Sequence, residues 1–311
     1  MLLLLLAAIY SSDISDQELQ LRWEKDPASL GSISLGFVDR GRVINAVQMP
    51  EGDAWICTRP HLCWGTQETV DALTAAFRAV RAQFPKSSPA RLSQIGKREG
   101  GWLPPHRSHQ AGRDADIGFF WKRDDNEPPP VRRSGFLDVP RTWALIRALI
   151  AVSDVQVILV DRGIQKVLRR YALRLGEDPA WVERVFGDRK PALIQHEEHH
   201  RDHLHVRFYA PRSQEMALRI QPLLPLRPEQ NLALHKVRRG ETLGRIARLY
   251  RSAAATIRQI NHLRGSFLAA GQQLLVPLRG ECATCALPPP LVVPPRLLPP
   301  PTAHVASLST R

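Results

Sequence analysis

The sequence predicts an α+β fold: a domain built on a mostly antiparallel sheet, followed by a small βααβ domain. Three observations carry that expectation. Two short stretches, Asp114–Phe119 and His203–Phe208, alternate polar and apolar residues as strands do. Between and around them lie segments with apolar residues at helical spacing. Near the C-terminal end, two short helical patterns sit between two strand patterns. A length of 311 residues allows about two domains, and 43% hydrophobic content is ample for packed cores.

Taken in order, the run Met1–Ile9 is apolar but far shorter than the roughly 20 residues a membrane-crossing helix needs. It is like the core of an export signal, although no Lys or Arg precedes it and no small-x-small site follows. Residues 1–30 are therefore read as a signal-like or flexible segment, and no transmembrane span is expected. Cys57 and Cys63 are close enough in sequence to close a small loop by a disulfide in an oxidising compartment. Thr66 to Phe84 carries Val70, Leu73, Phe77, Val80 and Phe84 at helical spacing. In Asp114–Phe119, Asp114, Asp116 and Gly118 share one face, while Ala115, Ile117 and Phe119 share the other. His109 stands before a loop containing Gly112 that folds back onto this strand. Lys122 to Arg133, with Pro128–Pro130, is a long polar loop.

Trp143 to Val152 is a second apolar helix, and Val155–Val160 a buried strand. Ile164, Val167, Leu168, Tyr171 and Leu175 mark a third helix. In the next strand His203 and His205 share a face opposite Leu204, Val206 and Phe208; His196 and His199 belong to the loop before it. Prolines break the stretch Pro211 to Pro228, so residues 212–232 are read as a linker. Thr242 is a helix N-cap, with Leu243, Ile246, Ala247 and Tyr250 on one face. Thr256 starts a second helix ending at Asn261, and strands around Val237 and Leu274–Val276 close the unit. Cys282-x-x-Cys285 is a weak signal on its own, with a structural bridge its expected use. From Pro288 to Pro301 the chain is proline-rich and unsuited to a packed core, so residues 280–311 are read as a disordered tail.

The histidines give the sharpest chemical signal. Neutral imidazole is a common zinc ligand, and His109, Asp116 and His205 make a three-ligand set with a fourth position left for water. Such an open position marks a catalytic rather than a structural zinc. Taken alone, 196–205 also fits a solvated strand edge or a histidine-rich tract that binds metal adventitiously. His203 shares the ligand face, and histidine as a residue type suits proton transfer; Glu197, Glu198 and Asp202 are rival general bases. Arg113 and Arg207 stand close to these motifs, but arginine is too abundant here to assign either to substrate.

Ser108-His109-x-x-Gly112-x-x-x-Asp116, followed by His203-x-His205, resembles the penicillin-insensitive murein endopeptidases. These belong to a zinc-peptidase group shared with D-Ala-D-Ala carboxypeptidases and hedgehog domains. Their extra histidines, three residues before the first ligand and three before the His-x-His pair, are matched by His106 and His200. The likeness extends more thinly to Ser34-Leu-Gly36 and Trp64-Gly65-x-x-Glu68-x-Val70, so residues 31–211 are read as the peptidase domain. The resemblance implies zinc bound by His109, Asp116 and His205, with His203 handling the proton in a one-step hydrolysis. His106 and His200 are auxiliary candidates, whether for a second metal, for substrate or for outer hydrogen bonds. One zinc is expected, and a second stays open.

His235-Lys-Val237-Arg-Arg-Gly240-Glu241-Thr242-Leu243, with Asn261-x-Leu263 and Ala270-Gly271-Gln272-x-Leu274-x-Val276-Pro277, looks like a lysin motif (LysM), placed at 233–279. Glu241 replaces the usual aspartate, and Arg251 stands where glycine is frequent. The resemblance implies binding of peptidoglycan glycan, with Gly240, Glu241, Thr242, Asn261, Leu263 and Arg264 as candidates.

Together the two resemblances imply a murein endopeptidase that cuts the D-Ala to meso-diaminopimelate cross-link, periplasmic or secreted and wall-associated. Stem peptides would occupy the active site and glycan the LysM. The alternatives are a D-Ala-D-Ala carboxypeptidase and a catalytically silent wall-binding protein. A net charge of +13 suits an anionic wall, and no motif points to specific nucleic-acid binding.

Overall fold

The computed structural model describes residues 14–122, 133–187, 192–281, 285 and 287–300. Met1–Ile9, the loop beyond Lys122 as far as residue 132, and Cys282 lie outside the described residues. The helices are α1 (Asp16–Lys25), α2 (Gln67–Gln83), α3 (Val139–Val152), α4 (Arg162–Leu175), α5 (Pro179–Phe186), α6 (Pro211–Ile220), α7 (Leu243–Leu249) and α8 (Ala254–Ile260). The strands are β1 (Ile33–Phe37), β2 (Arg40–Ile44), β3 (Val47–Gln48), β4 (Trp55–Cys57), β5 (Trp64–Gly65), β6 (Ala90–Gln94), β7 (Asp114–Gly118), β8 (Val155–Val160), β9 (Ile194–His196), β10 (His203–Phe208), β11 (Leu232–Lys236) and β12 (Gln273–Pro277). The fold is α+β, as the patterning predicts. Two compact units form: Met1–Ala46, Glu99–Gly112 and Pro211–Val292 in one, and Val47–Arg98, Arg113–Ala210 and Val293–Arg311 in the other.

The second of these units is built on a six-stranded sheet ordered β4-β6-β7-β10-β8-β9. The inner pairings β6–β7, β7–β10 and β10–β8 are antiparallel, and the outer pairings are parallel. Leu204, Val206, Ala115 and Ile117 are at most 0% exposed, so the apolar face of β7 and β10 lies in the core. There they join Leu73, Phe77 and Val80 of α2 and Leu145, Ile146 and Leu149 of α3. Each buried aliphatic or aromatic side chain contributes roughly 1.5–3 kcal/mol. Helix α2 starts where the Thr66 hydroxyl accepts from the Thr69 N–H, satisfying one of the otherwise orphaned amides of the first turn. Helix α5 was not legible in the sequence; it buries Trp181, whose ring meets Trp143 edge-on at 5.9 Å. Part of the proline-rich stretch is anchored rather than free: Trp181 Nε1 donates to Leu297 O at 2.9 Å, and Arg296 pairs with Asp154 at 2.5 Å.

The expected Cys57–Cys63 bridge is not formed; both cysteines are free thiols. The Cys63 end of their loop is tied to neighbouring segments, with Ile95 N and Gly96 N both donating to Leu62 O and Met49 N to Cys63 O, each at 2.8 Å. A hydrogen bond with Cys63 holds the Cys57 thiol below its usual range. Cys285 is disulfide-bonded.

In the other unit, two segments depart from the sequence reading. Residues 16–25, taken as signal-like or flexible, form α1, and part of the supposed linker forms α6. The reason is burial: Leu19 and Trp23 of α1 pack with Leu30, Ile33, Leu35, Met216, Ala217 and Ile220. Pro211 opens α6, at a position where a missing N–H costs nothing. The β1–β2 hairpin seats the loop 99–112: Ser34 Oγ donates to Ala111 O at 2.8 Å, and Gln110 N donates to Val38 O at 3.1 Å. The antiparallel pair β11–β12 and helices α7 and α8 enclose Ile246, Ile257, Leu274 and Val276, the βααβ unit foreseen from the sequence. Helix α8 begins at Ala254, two residues before the predicted Thr256.

Candidate metal centre

Strand register decides which polar groups meet. Across β7 and β10, His205 lies opposite Asp116, His203 opposite Gly118 and Arg207 opposite Asp114. Residues directly opposite share a face, so both carboxylates, both histidines and Arg207 gather on the side away from the apolar core. Asp114 is 0%, Asp116 4% and His205 4% exposed. Burying charged groups costs free energy unless they are paired, and here they are. His205 Nδ1 is 3.0 Å from Asp116 Oδ1, His205 Nε2 is 3.1 Å from Asp114 Oδ1, and Arg207 Nε donates to Asp114 Oδ1 at 2.6 Å. Burial works against a charged His205, but hydrogen bonds to Asp114 and Asp116 outweigh it and raise the imidazole to about 9.

Within the single stretch 106–116, ligand atoms of His106, His109 and Asp116 all lie within 4.8 Å of one another. His109 adopts φ 67°, uncommon for a residue with a side chain, and Gly112 follows at φ 68°. The rings of His106 and His109 meet edge-on, their centroids 5.2 Å apart. His106, read as auxiliary from the sequence, thus stands in the group, while His205 adjoins it through Asp116. Imidazole nitrogens and a carboxylate oxygen fit a borderline divalent cation such as zinc better than an oxygen-seeking one.

His203 Nδ1 is 2.9 Å from Asp202 Oδ1, and its Nε2 is 3.8 Å from Asp116 Oδ1. Asp202, a rival base by sequence, is therefore the group that orients His203. Glu197 and Glu198 are exposed, and the main chain of Glu198 holds His200, whose Nδ1 is 2.8 Å from its carbonyl. His200 lies 4.7 Å from the His203 ring and 5.7 Å from the His205 ring, and burial pushes its imidazole down. His196 ends β9, where its Nδ1 accepts from Arg162 N at 3.1 Å, and His199 sits in the following loop. Arg113 is buried, which draws its guanidinium down to about 10, and Arg207 is committed to Asp114. Two contributors escaped the sequence reading: Gln94, which donates to Asp116 Oδ2, and Arg59, which donates to Gln94; Ser34, part of the thin likeness at 34–36, is the seat of the histidine loop. The Asp-x-Asp alternation flagged Asp114, but nothing local flags Gln94.

Beside His203, Asp202 helps to line a cavity of about 1100 Å³ that also takes in Asp161, Arg162, Lys166, Glu198 and Arg201. Among the described residues, no helix is long and apolar enough to cross a membrane.

In the βααβ unit the glycan candidates are largely occupied by the fold. Thr242 caps α7 through Arg245 N. Glu241 Oε2 accepts from Arg238 N at 2.7 Å and lies 2.8 Å from His235 Nε2. Asn261 donates to Ile257 O and Leu275 O and accepts from Leu275 N. Leu263 packs against the small core, Gly240 turns the chain at φ 79°, and Arg264 is exposed.

Residues 34–225 match the family model of the penicillin-insensitive murein endopeptidases, and residues 235–277 match that of the LysM domain. No curated protein matches the chain.

Proposed function

The chain belongs to the penicillin-insensitive murein endopeptidase family and carries a LysM domain, and from that premise we propose that it is a zinc-dependent enzyme hydrolysing the D-Ala to meso-diaminopimelate cross-link of peptidoglycan. The observation that carries the reading is the strand face shared by Asp114, Asp116, His203 and His205, together with the His106, His109 and Asp116 ligand atoms that lie within 4.8 Å of one another. His109, Asp116 and His205 are the proposed zinc ligands, with His106 next to them as an auxiliary ligand or outer partner. Bound there, zinc supplies a Lewis acid that lowers the pKa of water to about 7.

His203 accepts the proton of the attacking water at Nε2 and returns it to the leaving amine. Asp202 keeps the ring turned for this by engaging Nδ1, so that Nε2 faces Asp116. Positioned proton transfer of this kind contributes roughly 10²- to 10⁴-fold. Asp114 and Arg207 fix the His205 ring from its far side, the support that ligating histidines commonly need. The cavity beside His203 carries both cations and carboxylates, which suits the zwitterionic end of diaminopimelate. The LysM domain, proposed to span 233–279, holds the peptidase domain of 31–211 on glycan and raises its local concentration there. The proposed setting is periplasmic or secreted, against the cell wall.

The test is mass spectrometry of muropeptides from sacculi treated with zinc-loaded protein, with chelated protein and with His203→Ala. Cross-linked dimers turned into monomers by the zinc-loaded wild type alone are the expected result. Loss of terminal D-Ala with dimers intact would make the enzyme a carboxypeptidase. No change in either, with the protein still sedimenting with sacculi, would leave a wall-binding protein without activity.

A further inference from the structure

We propose that Gln94 is a positioning residue of the metal centre: by occupying Asp116 Oδ2 it leaves Oδ1 as the one carboxylate oxygen that Asp116 offers to a cation. The inference rests on the reading of Asp116 as a metal ligand.

The placement begins with a β-bulge. Leu92 of β6 pairs with Ile117 of β7, yet Gln94 pairs with Asp116, so two steps along β6 match one along β7. Regular pairing would set Gln94 opposite Ala115. The extra residue, Ser93, instead brings Gln94 level with Asp116, and bulges beside functional sites re-aim side chains in this way. Gln94 is 1% exposed, and its Nε2 donates to Asp116 Oδ2 at 2.9 Å. Asp116 Oδ1 is the oxygen that faces the histidines, 3.0 Å from His205 Nδ1 and 3.8 Å from His203 Nε2.

Chemistry selects glutamine for this position. A guanidinium only donates and an ionised carboxylate only accepts. Arg59 Nη1 donates to Gln94 Oε1 at 3.3 Å, which fixes the amide with its NH₂ group toward Asp116. Glutamate would set a second carboxylate against Asp116, and asparagine is one methylene too short to span both partners. An apolar residue of the same length would remove the hydrogen bond that Gln94 gives to Oδ2. With that tether lost, Asp116 can turn to present both oxygens.

The experiment replaces Gln94 with methionine in the full chain and compares metal-stripped wild type and Q94M, each with wild-type circular dichroism. Two readouts are taken: affinity for Zn²⁺ in competition with a chromophoric chelator, and the visible spectrum after Co²⁺ loading. Four-coordinate cobalt absorbs more strongly than five-coordinate cobalt, so entry of a second carboxylate oxygen dims the bands. Q94M is expected to bind zinc about 10- to 100-fold more weakly, the range for lost outer partners, and to give weaker cobalt bands. Wild-type affinity together with a wild-type cobalt spectrum in Q94M would overturn the proposal. If Q94M does not fold, Q94L decides on the same readouts. Failure of the wild type itself to take up either metal would overturn both the proposal and the metal-centre reading beneath it.

Discussion

His205 and His235 are both buried strand histidines hydrogen-bonded through both ring nitrogens, and they differ in what faces them. His205 lies between two carboxylates, those of Asp114 and Asp116. Carboxylates accept and do not donate, so both nitrogens of His205 must carry protons, in keeping with its rise to about 9. His235 lies between the Glu241 carboxylate and the Tyr250 hydroxyl. A hydroxyl can donate or accept, so these two bonds require an N–H only at Nε2, toward Glu241. His235 has no such second carboxylate, and its bonds tie β11 to the turn before α7. The same residue type thus meets two carboxylates in one region, and one carboxylate and a hydroxyl in the other.

Exchanging each histidine for alanine breaks the comparison most sharply. His205→Ala is expected to lower sacculus hydrolysis by more than the roughly 100-fold that loss of an outer partner brings, because it removes a proposed ligand. Sedimentation with sacculi should be unchanged. His235→Ala should keep wild-type turnover of soluble muropeptide dimers and lose about 1–3 kcal/mol of LysM stability, as the half-buried Glu241 and Tyr250 lose a partner. Activity assays beside thermal unfolding check both. If His235→Ala abolished turnover of soluble dimers, the division of roles drawn here would be wrong.

The sequence made the two regions unequally legible. Strand alternation placed His203, His205, Asp114 and Asp116 on their faces because side-chain direction along a strand is a local property. The LysM helices were legible for the same reason, through the cap at Thr242 and the apolar face from Leu243 to Tyr250. The β6 bulge was not, because register depends on which strand pairs with which. Gln94 and Arg59 therefore read as ordinary polar residues. The segments at 16–25 and 211–220 were misread because their helices are stabilised by each other, with Trp23 in one cluster with Met216 and Ile220 although more than half the length of the chain separates them in sequence. The disulfide expected at Cys57 and Cys63 rested on spacing alone, which does not tell a bridge from two hydrogen-bonded thiols.

A smaller effect sharpens the His205 side. Asp114 is fully buried and supports His205 while bonded to Arg207. In Asp114→Asn the shape is kept, but the charge opposite both cationic partners is lost. Zinc affinity should fall about 10- to 100-fold, measured by chelator competition, with glycan binding untouched. Wild-type affinity in this variant would mean that the His205 ring is held by packing rather than by its carboxylate.

The smallest effect belongs to Glu241. Hydrogen bonds from Arg238 N–H and from His235 hold its carboxyl below the usual range, and its side chain is 10% exposed. A carboxyl depressed in the folded state stabilises that state above the unfolded pKa, near 4.3, and the contribution disappears as pH falls through the folded value. Glu241→Gln keeps the length and one acceptor but removes the charge, so at neutral pH it should cost about 1–2 kcal/mol of LysM stability. The gap between wild type and variant should then narrow below about pH 4, as the wild-type carboxyl itself becomes neutral. Urea unfolding followed at several pH values reads this directly. A gap that stays constant into acid would assign the loss to altered packing, and Glu241 would no longer stand as the electrostatic counterpart of the Asp114–His205–Asp116 array.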